Sequence, residues 1–195
     1  MVKTRCPWAD TNDWNKIYHD TEWGVPVHDD TKLFEFLVLD AFQAGLSWVT
    51  ILKKRENFRK AFDHFNANII ASYTEDKIQS LMQNANIIRN QMKIRATVDN
   101  AQSFLQIQEK YGSFDKYIWQ FTNYQTLVNS WINQVNIPAS SKESDEMSRS
   151  LKTHGFKFVG TTICYAFMQA AGMVNDHTIH CFRYQEVQQI HQSDL

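Results

Sequence analysis

The chain has 195 residues, 43% of them hydrophobic and 21% charged, with a formal net charge of −1. This length fits one domain with a sizeable core, and the charge gives no global electrostatic footprint for nucleic-acid binding. Three widely separated cysteines predict a reducing cytoplasm and exclude a disulfide framework. We also expect no signal peptide and no membrane span, because no apolar run is long enough.

The N-terminal segment, residues 6–29, is dense in aromatic residues. Trp8, Trp14 and Trp23 alternate there with polar and turn residues, and one short helix is predicted near Trp14 to Tyr18. A packed core uses such rings, and so does a pocket for a flat ring system.

The next segment places one carboxylate inside an otherwise apolar helix. A helix is predicted to begin at Asp30 or Thr31 and to end at Gly45, with a second one capped by Ser47. Three and four positions from Asp40, the neighbours are Phe36, Leu37, Gln43 and Ala44. Burying a carboxylate without partners is costly, so Asp40 is either functional or a structural group that caps a helix or meets a buried arginine. Glu35, on another side of the helix, is predicted to reach water.

The remaining sequence predicts further helices. They run from Thr74 to Ala85, Gln91 to Tyr111, Ser113 to Phe121, Ser140 to Gly155, where Ser140 and Glu143 form a capping box, and Thr161 to Gly172. Residues 122–139 have no usable period and are predicted to be a loop, and no segment shows the sustained alternation of a strand. We therefore predict an all-α fold, with one domain over residues 1–184 and a flexible polar tail over 185–195.

A glycine-bounded turn, Gly155 to Thr162, separates the last two of these helices. Gly160 precedes a helix start, where backbone N–H groups point outward and suit a phosphate oxygen. An ordinary helical hairpin explains the same residues equally well.

Two residues near the C-terminus have the spacing of metal ligands. His177 and Cys181 lie one helical turn apart, and Cys6 with His19 would complete a Cys₂His₂ zinc set. His28 and His180 are alternative ligands, because one sequence does not show long-range pairing.

Taken together, these pieces resemble the bacterial 3-methyladenine DNA glycosylase I family, within the helix-hairpin-helix DNA glycosylases. The resemblance covers roughly residues 5–184. Its motifs are Tyr18-His19-Asp20, Glu22-Trp23-Gly24, the run from Gln43 to Trp48, Leu52 to Glu56, Gly155 to Tyr165, and Val174 to His177.

The resemblance implies a helix-hairpin-helix glycosylase fold around a DNA cleft, with roles for particular residues. One structural Zn²⁺ would join the N- and C-terminal segments through Cys6, His19, His177 and Cys181. Asp40 and Tyr18 would be the catalytic, base-recognising pair, in a pocket lined by Trp8, Trp23 and Trp48. Double-stranded DNA would be contacted by Gly45, by the wedge residue Leu46, and by Lys157, Gly160, Thr161 and Thr162.

Two positions depart from the family pattern. The best-known members carry glutamate where this chain has Asp40, and Asn15 stands in place of a pocket aromatic unless Trp14 takes over. Asp176 lies close to the catalytic aspartate of other helix-hairpin-helix glycosylases, but this family implies no such role for it. These departures bear on substrate range.

The resemblance implies a monomeric enzyme of the bacterial cytoplasm that hydrolyses 3-methyladenine from alkylated DNA. It would leave an abasic site without lyase activity. Two other hypotheses are a protein that binds alkylated DNA without cleaving it, and a zinc-stabilised helical protein without a DNA function.

Overall fold

Ten α-helices form most of the part of the chain that this computed structural model describes, residues 3–193, with side chains described to residue 190. The predicted helical class is confirmed. The helices are α1 Asp13–Thr21, α2 Asp30–Gln43, α3 Trp48–Ala61, α4 Ala67–Ile70, α5 Glu75–Gln83, α6 Gln91–Tyr111, α7 Phe114–Trp119, α8 Lys142–Thr153, α9 Thr161–Ala170 and α10 Phe182–Ser193.

Helix ends follow local capping chemistry. Asp29 caps α2 by accepting the Lys32 N–H at 2.8 Å, and Gly112, at φ +87°, ends α6 in the left-handed conformation that glycine adopts without strain. The capping box of α8 lies one residue later than predicted. Ser141 and Ser144 form it, because the Ser144 hydroxyl accepts the Ser141 N–H at 2.8 Å.

Two features of the C-terminal half differ from the prediction. Strand β1, Leu127–Val128, lies in the segment 122–139 that was predicted to be a loop. It pairs in parallel with β2, Val174–Asn175, although no strand was predicted in the sequence. The polar segment from residue 185, predicted to be a flexible tail, belongs to α10 as far as Ser193, and Val187 is buried there. Residues 194 and 195 of that predicted tail lie outside the described part.

Helix α2 is the centre of the fold. Every residue from Leu33 to Phe42 is buried, and α2 packs against α3, α6, α7 and α9. Glu35 was predicted to reach water, but it is 6% exposed and is paired with Arg55 and Arg59. None of the described helices has the length and apolarity needed to cross a bilayer.

Candidate active site and metal-binding cluster

A cavity of about 360 Å³ lies between α1, the α2–α3 junction, α9 and residues 134–138. One carboxylate and three amide side chains interrupt its largely aromatic and apolar wall. The lining residues are Trp8, Tyr18, Trp23, Asp40, Gln43, Trp48, Gln134, Ile137, Pro138, Ala166 and Gln169.

Asp40 is the only acidic residue among those lining residues. It is 2% exposed, and its buried Oδ2 accepts no hydrogen bond from any residue of the described chain. Burial raises the pKa of Asp40 well above its usual range, and the positive charge of Arg55 opposes this shift.

The two structural alternatives for Asp40 do not match its surroundings. The buried Arg55 donates to Glu35 at 2.6 Å and to Glu22 at 2.8 and 2.9 Å instead of to Asp40. Because no described residue donates to Oδ2, Asp40 caps no neighbouring helix through that atom either.

Four aromatic side chains line the same cavity as this carboxyl group. The Tyr18 and Trp48 ring centroids are 5.3 Å apart, and those of Trp8 and Trp23 are 5.1 Å apart. Burial, reinforced by the Asp40 charge, raises the pKa of Tyr18. The phenol is therefore a neutral donor at physiological pH.

Trp14 does not take the place of the aromatic residue that the family pattern has where this chain has Asn15. The Trp14 side chain is 49% exposed and lines a separate surface depression. The Asn15 side chain donates to Thr11 Oγ1 at 2.9 Å. Neither residue lines the main cavity.

The junction between α2 and α3 projects a side chain beside the cavity. Gly45 has φ +82°, and the following Leu46 is 41% exposed. Lys93 supports this turn from below, with its Nζ donating to the carbonyls of Phe42 at 2.8 Å and Ala44 at 2.6 Å. The side chain of Lys93 is thus buried and supports this turn.

The α8–α9 turn is fixed from behind by Asn100. Its side chain accepts the Lys157 N–H at 2.7 Å and donates to the Lys157 carbonyl at 3.1 Å. The side chains of Lys157 and Thr162 are exposed, and a Cβ added at Gly160 would meet open space. The Thr161 hydroxyl is already engaged, because it donates to Asp145 at 2.5 Å.

The four predicted metal ligands meet in one buried cluster. Their ligand atoms lie within 4.8 Å of one another, although Cys6 and His177 are 171 residues apart in sequence. Cys181 Sγ is 3.3 Å from His19 Nε2 and 3.6 Å from His177 Nδ1. The predicted alternatives His28 and His180 are not in this cluster.

Hydrogen bonds on the outer side of both imidazole rings fix their tautomers. His19 Nδ1 lies 2.8 Å from the Asp20 carboxylate, and His177 Nε2 lies 3.1 Å from the Trp23 carbonyl. Because both partners only accept, these nitrogens donate, and the inner nitrogens present lone pairs to the cluster. Two thiols and two imidazole lone pairs form a donor set for one metal ion.

The sequence was also compared with known proteins. A family model described as methyladenine glycosylase matches residues 8–184. The chain belongs to this family.

Individual methyladenine glycosylases are similar over nearly their whole length. DNA-3-methyladenine glycosylase 1 of Escherichia coli is 47% identical over 180 residues, which are 92% of this chain and 96% of that protein. A crystal structure of 3-methyladenine DNA glycosylase I has a TM-score of 0.89 at 46% identity, covering 92% and 98% of the two chains. A structure of 3-methyladenine recognition by the Staphylococcus aureus enzyme also has a TM-score of 0.89, at 34% identity and 93% and 97% coverage.

The family resemblance inferred from the sequence is confirmed, and the cavity brings the five predicted base-pocket residues together. Sequence reasoning missed several members of its wall: Gln43, Gln134, Ile137, Pro138, Ala166 and Gln169. Gln43 lies three positions after Asp40 on the same helix face, so the 3.6-residue period could have predicted that it lines the cavity. Gln134, Ile137 and Pro138 carry no such signal, because residues 122–139 have no period.

Proposed function

We propose that this protein is a DNA glycosylase that flips 3-methyladenine out of alkylated double-stranded DNA and hydrolyses its N-glycosidic bond, leaving an abasic site. The observation that carries the proposal is the buried, unpartnered Asp40 in an aromatic cavity of a methyladenine glycosylase family member. A protein that keeps such a carboxyl group bears a cost in stability that a ligand would offset.

The chemistry of the substrate suits this cavity. Methylation at N3 makes adenine a cation, so its glycosidic bond is already weakened and the base departs neutral without an added proton. Aromatic faces favour a cationic ring by about 0.5 to 2 kcal/mol per contact. Trp8, Trp23 and Trp48 are assigned this role.

Asp40 is assigned the recognition of the exocyclic amine. Its free oxygen can accept a hydrogen bond from that group, and Tyr18 supplies a second polar contact. The Asp40 side chain is one methylene shorter than the glutamate of the best-known members. The distance from its oxygen to the exocyclic amine therefore differs, and this distance bears on which bases are accepted.

We assign the DNA contacts to two turns. Leu46 is the wedge that fills the space left by the flipped base, on a turn that Gly45 makes possible. The α8–α9 unit is assigned as the helix-hairpin-helix element, in which Lys157, Gly160, Thr161 and Thr162 face a DNA phosphate. Because the Thr161 hydroxyl is engaged with Asp145, we assign the Thr161 contact to its backbone N–H.

We further propose that the Cys6, His19, His177 and Cys181 cluster holds one structural zinc ion. Tetrahedral zinc with these ligands requires S···N separations of about 3.5 Å, close to the observed 3.3–3.7 Å. A hydrogen bond between the two thiols lowers the pKa of Cys181 and raises the pKa of Cys6, so the pair favours one thiolate, and a bound metal would displace the remaining proton. Metal analysis of purified protein should find one zinc per chain, and none would contradict the assignment.

Three further features belong to the proposal. The enzyme hydrolyses without strand cleavage, since no lysine is among the lining residues described for the cavity. It acts as a monomer whose activity resides in the single domain of residues 1–184. It works in the bacterial cytoplasm, where its substrate DNA lies.

The test is release of free base from methylated duplex DNA, followed by chromatography. We expect 3-methyladenine in the supernatant and intact, alkali-labile strands. Tight binding to the lesion without release would select the non-cleaving binder, which the shorter Asp40 side chain favours as the second candidate. Neither release nor binding would select the zinc-stabilised helical protein.

A further inference from the structure

Gln134 lines the cavity, in the wall formed by residues 134–138. None of the residues to which we assign a catalytic role lies in this wall. The Gln134 side-chain Oε1 lies 3.1 Å from the backbone nitrogen of Trp8, one of the aromatic residues of the same cavity. Gln134 therefore lines the cavity and is hydrogen-bonded to the backbone of one of its aromatic residues.

The orientation of the Gln134 amide follows from this contact. A backbone N–H only donates, so the side-chain atom that faces it is the carbonyl oxygen and not the nitrogen. The Nε2 group has no hydrogen-bond partner among the described residues. A residue that lines the cavity therefore carries an amide donor that no described protein group uses.

The segment that carries Gln134 is anchored on its N-terminal side. Trp131 Nε1 donates to Asp176 at 2.7 Å, and the Trp131 carbonyl accepts the Ile179 N–H at 2.9 Å. A 3₁₀ turn over Gln134–Asn136 follows, in which the Ile137 N–H donates to the Gln134 carbonyl at 3.1 Å. The hydrogen bond from the Trp8 N–H holds the Gln134 amide itself, which orients its donor before a ligand arrives.

We propose that Gln134 is a specificity-determining residue that donates a hydrogen bond from Nε2 to a ring-nitrogen acceptor of the purine in the cavity. The assignment rests on the proposed function. Asp40 accepts and Gln134 donates, so the cavity is complementary to a base that offers both an amine donor and an unsubstituted ring nitrogen. N3-methylated adenine keeps both kinds of group, whereas a purine whose ring acceptors are alkylated or replaced by carbon loses the contact with Gln134.

Two substitutions separate the donor from the contact with Trp8. Gln134→Glu keeps an oxygen for the Trp8 N–H but removes the amide donor, and Gln134→Met removes both. Asn133→Met is the matched control, because Asn133 is the exposed neighbour on the same segment and does not line the cavity. Thermal unfolding of all four proteins shows that the fold is retained.

The measurement is calorimetric titration with free 3-methyladenine, at a pH where the base is uncharged, together with base release from methylated DNA. We expect Gln134→Glu and Gln134→Met each to weaken binding about fivefold, the usual scale for one neutral hydrogen bond. Asn133→Met should bind as the wild type does. The wild type should also bind the 7-deaza or the 1-deaza analogue more weakly, and Gln134→Met should lose that discrimination.

Wild-type affinity in Gln134→Glu would overturn the proposal, because the contact with Trp8 alone would then suffice. Wild-type affinity in Gln134→Met would overturn it as well. In both cases the wild type still releases base, so the proposed function stands. A wild-type protein that neither binds nor releases 3-methyladenine would remove the proposed function and this assignment together.

Discussion

Two aspartates, Asp40 and Asp176, are buried in the described part of the chain, and their surroundings are opposite. Asp176 is 1% exposed and Asp40 is 2% exposed, so burial does not distinguish them. Asp176 accepts four hydrogen bonds at 2.7–2.8 Å, from the side chains of Asn129, Trp131, Tyr165 and Gln169. Asp40 Oδ2 accepts none from the described residues.

Hydrogen-bond saturation thus distinguishes the structural carboxylate of Asp176 from the carboxyl group of Asp40, which we propose binds a ligand. From the sequence, Asp176 was predicted to lie near the position of the catalytic aspartate of helix-hairpin-helix glycosylases, yet its oxygens are occupied by donors from three parts of the chain. A substrate would have to displace one of these donors, at a cost of about 1–3 kcal/mol. The unoccupied oxygen of Asp40 has no such competitor.

The largest effect should follow from Asp176→Ala. This change leaves four donors without their acceptor, and we expect a loss of about 3–5 kcal/mol in the free energy of unfolding. Chemical denaturation measures it, with Asp176→Asn as the milder control that keeps one acceptor. Full stability of the alanine variant combined with lost base release would reverse the roles that we give the two aspartates.

Asp40→Asn should reduce base release by about 10²-fold, the scale of losing one electrostatic contact in an active site. The fold should remain intact, because no described residue donates to Oδ2. Single-turnover release of 3-methyladenine measures the loss. Equal rates for the two proteins would remove Asp40 from recognition.

The same variant should be more stable than the wild type at high pH. Because burial raises the pKa of Asp40, the folded state retains the proton more strongly than the unfolded chain. Wild-type stability therefore declines as the pH rises above about 4 towards the folded-state pKa. The variant lacks this decline, so its stability relative to the wild type should increase as the pH rises above about 4. Thermal unfolding across this pH range measures the difference.

The smallest effect is expected at Lys93, where the same hydrogen-bond criterion applies to a buried cation. Lys93 is buried with two backbone acceptors, so by the same criterion it is structural, and burial lowers its pKa. Lys93→Met should cost about 1–2 kcal/mol of stability and weaken DNA binding through the Leu46 turn. Affinity for the free base should not change. Weaker binding of the free base would place Lys93 in the cavity chemistry instead.

Local patterns in the sequence were sufficient to predict most helices, and the family resemblance predicted five residues that meet in one cavity. Caps and the 3.6-residue period locate α2, α3 and α6, and the family motifs place Asp40 among tryptophans. The saturation of Asp176 was not predictable, because its donors lie 7 to 47 residues away and belong to a strand end, a loop and α9. The place of residues 134–138 in the cavity wall was not predictable for the same reason, because long-range contacts and not a local period bring them there.

The metal-ligand cluster also has a consequence for the order of assembly during synthesis. Cys6 and His19 alternate with Trp8, Tyr18 and Trp23 along one short stretch, and the Trp23 and His177 rings lie 4.6 Å apart. Its partner His177 follows Trp23 by 154 residues in the sequence. A nascent chain therefore carries these aromatic residues through the synthesis of that intervening segment without the contacts that fix them. The proposed base pocket is completed only after His177 and Cys181 have been translated.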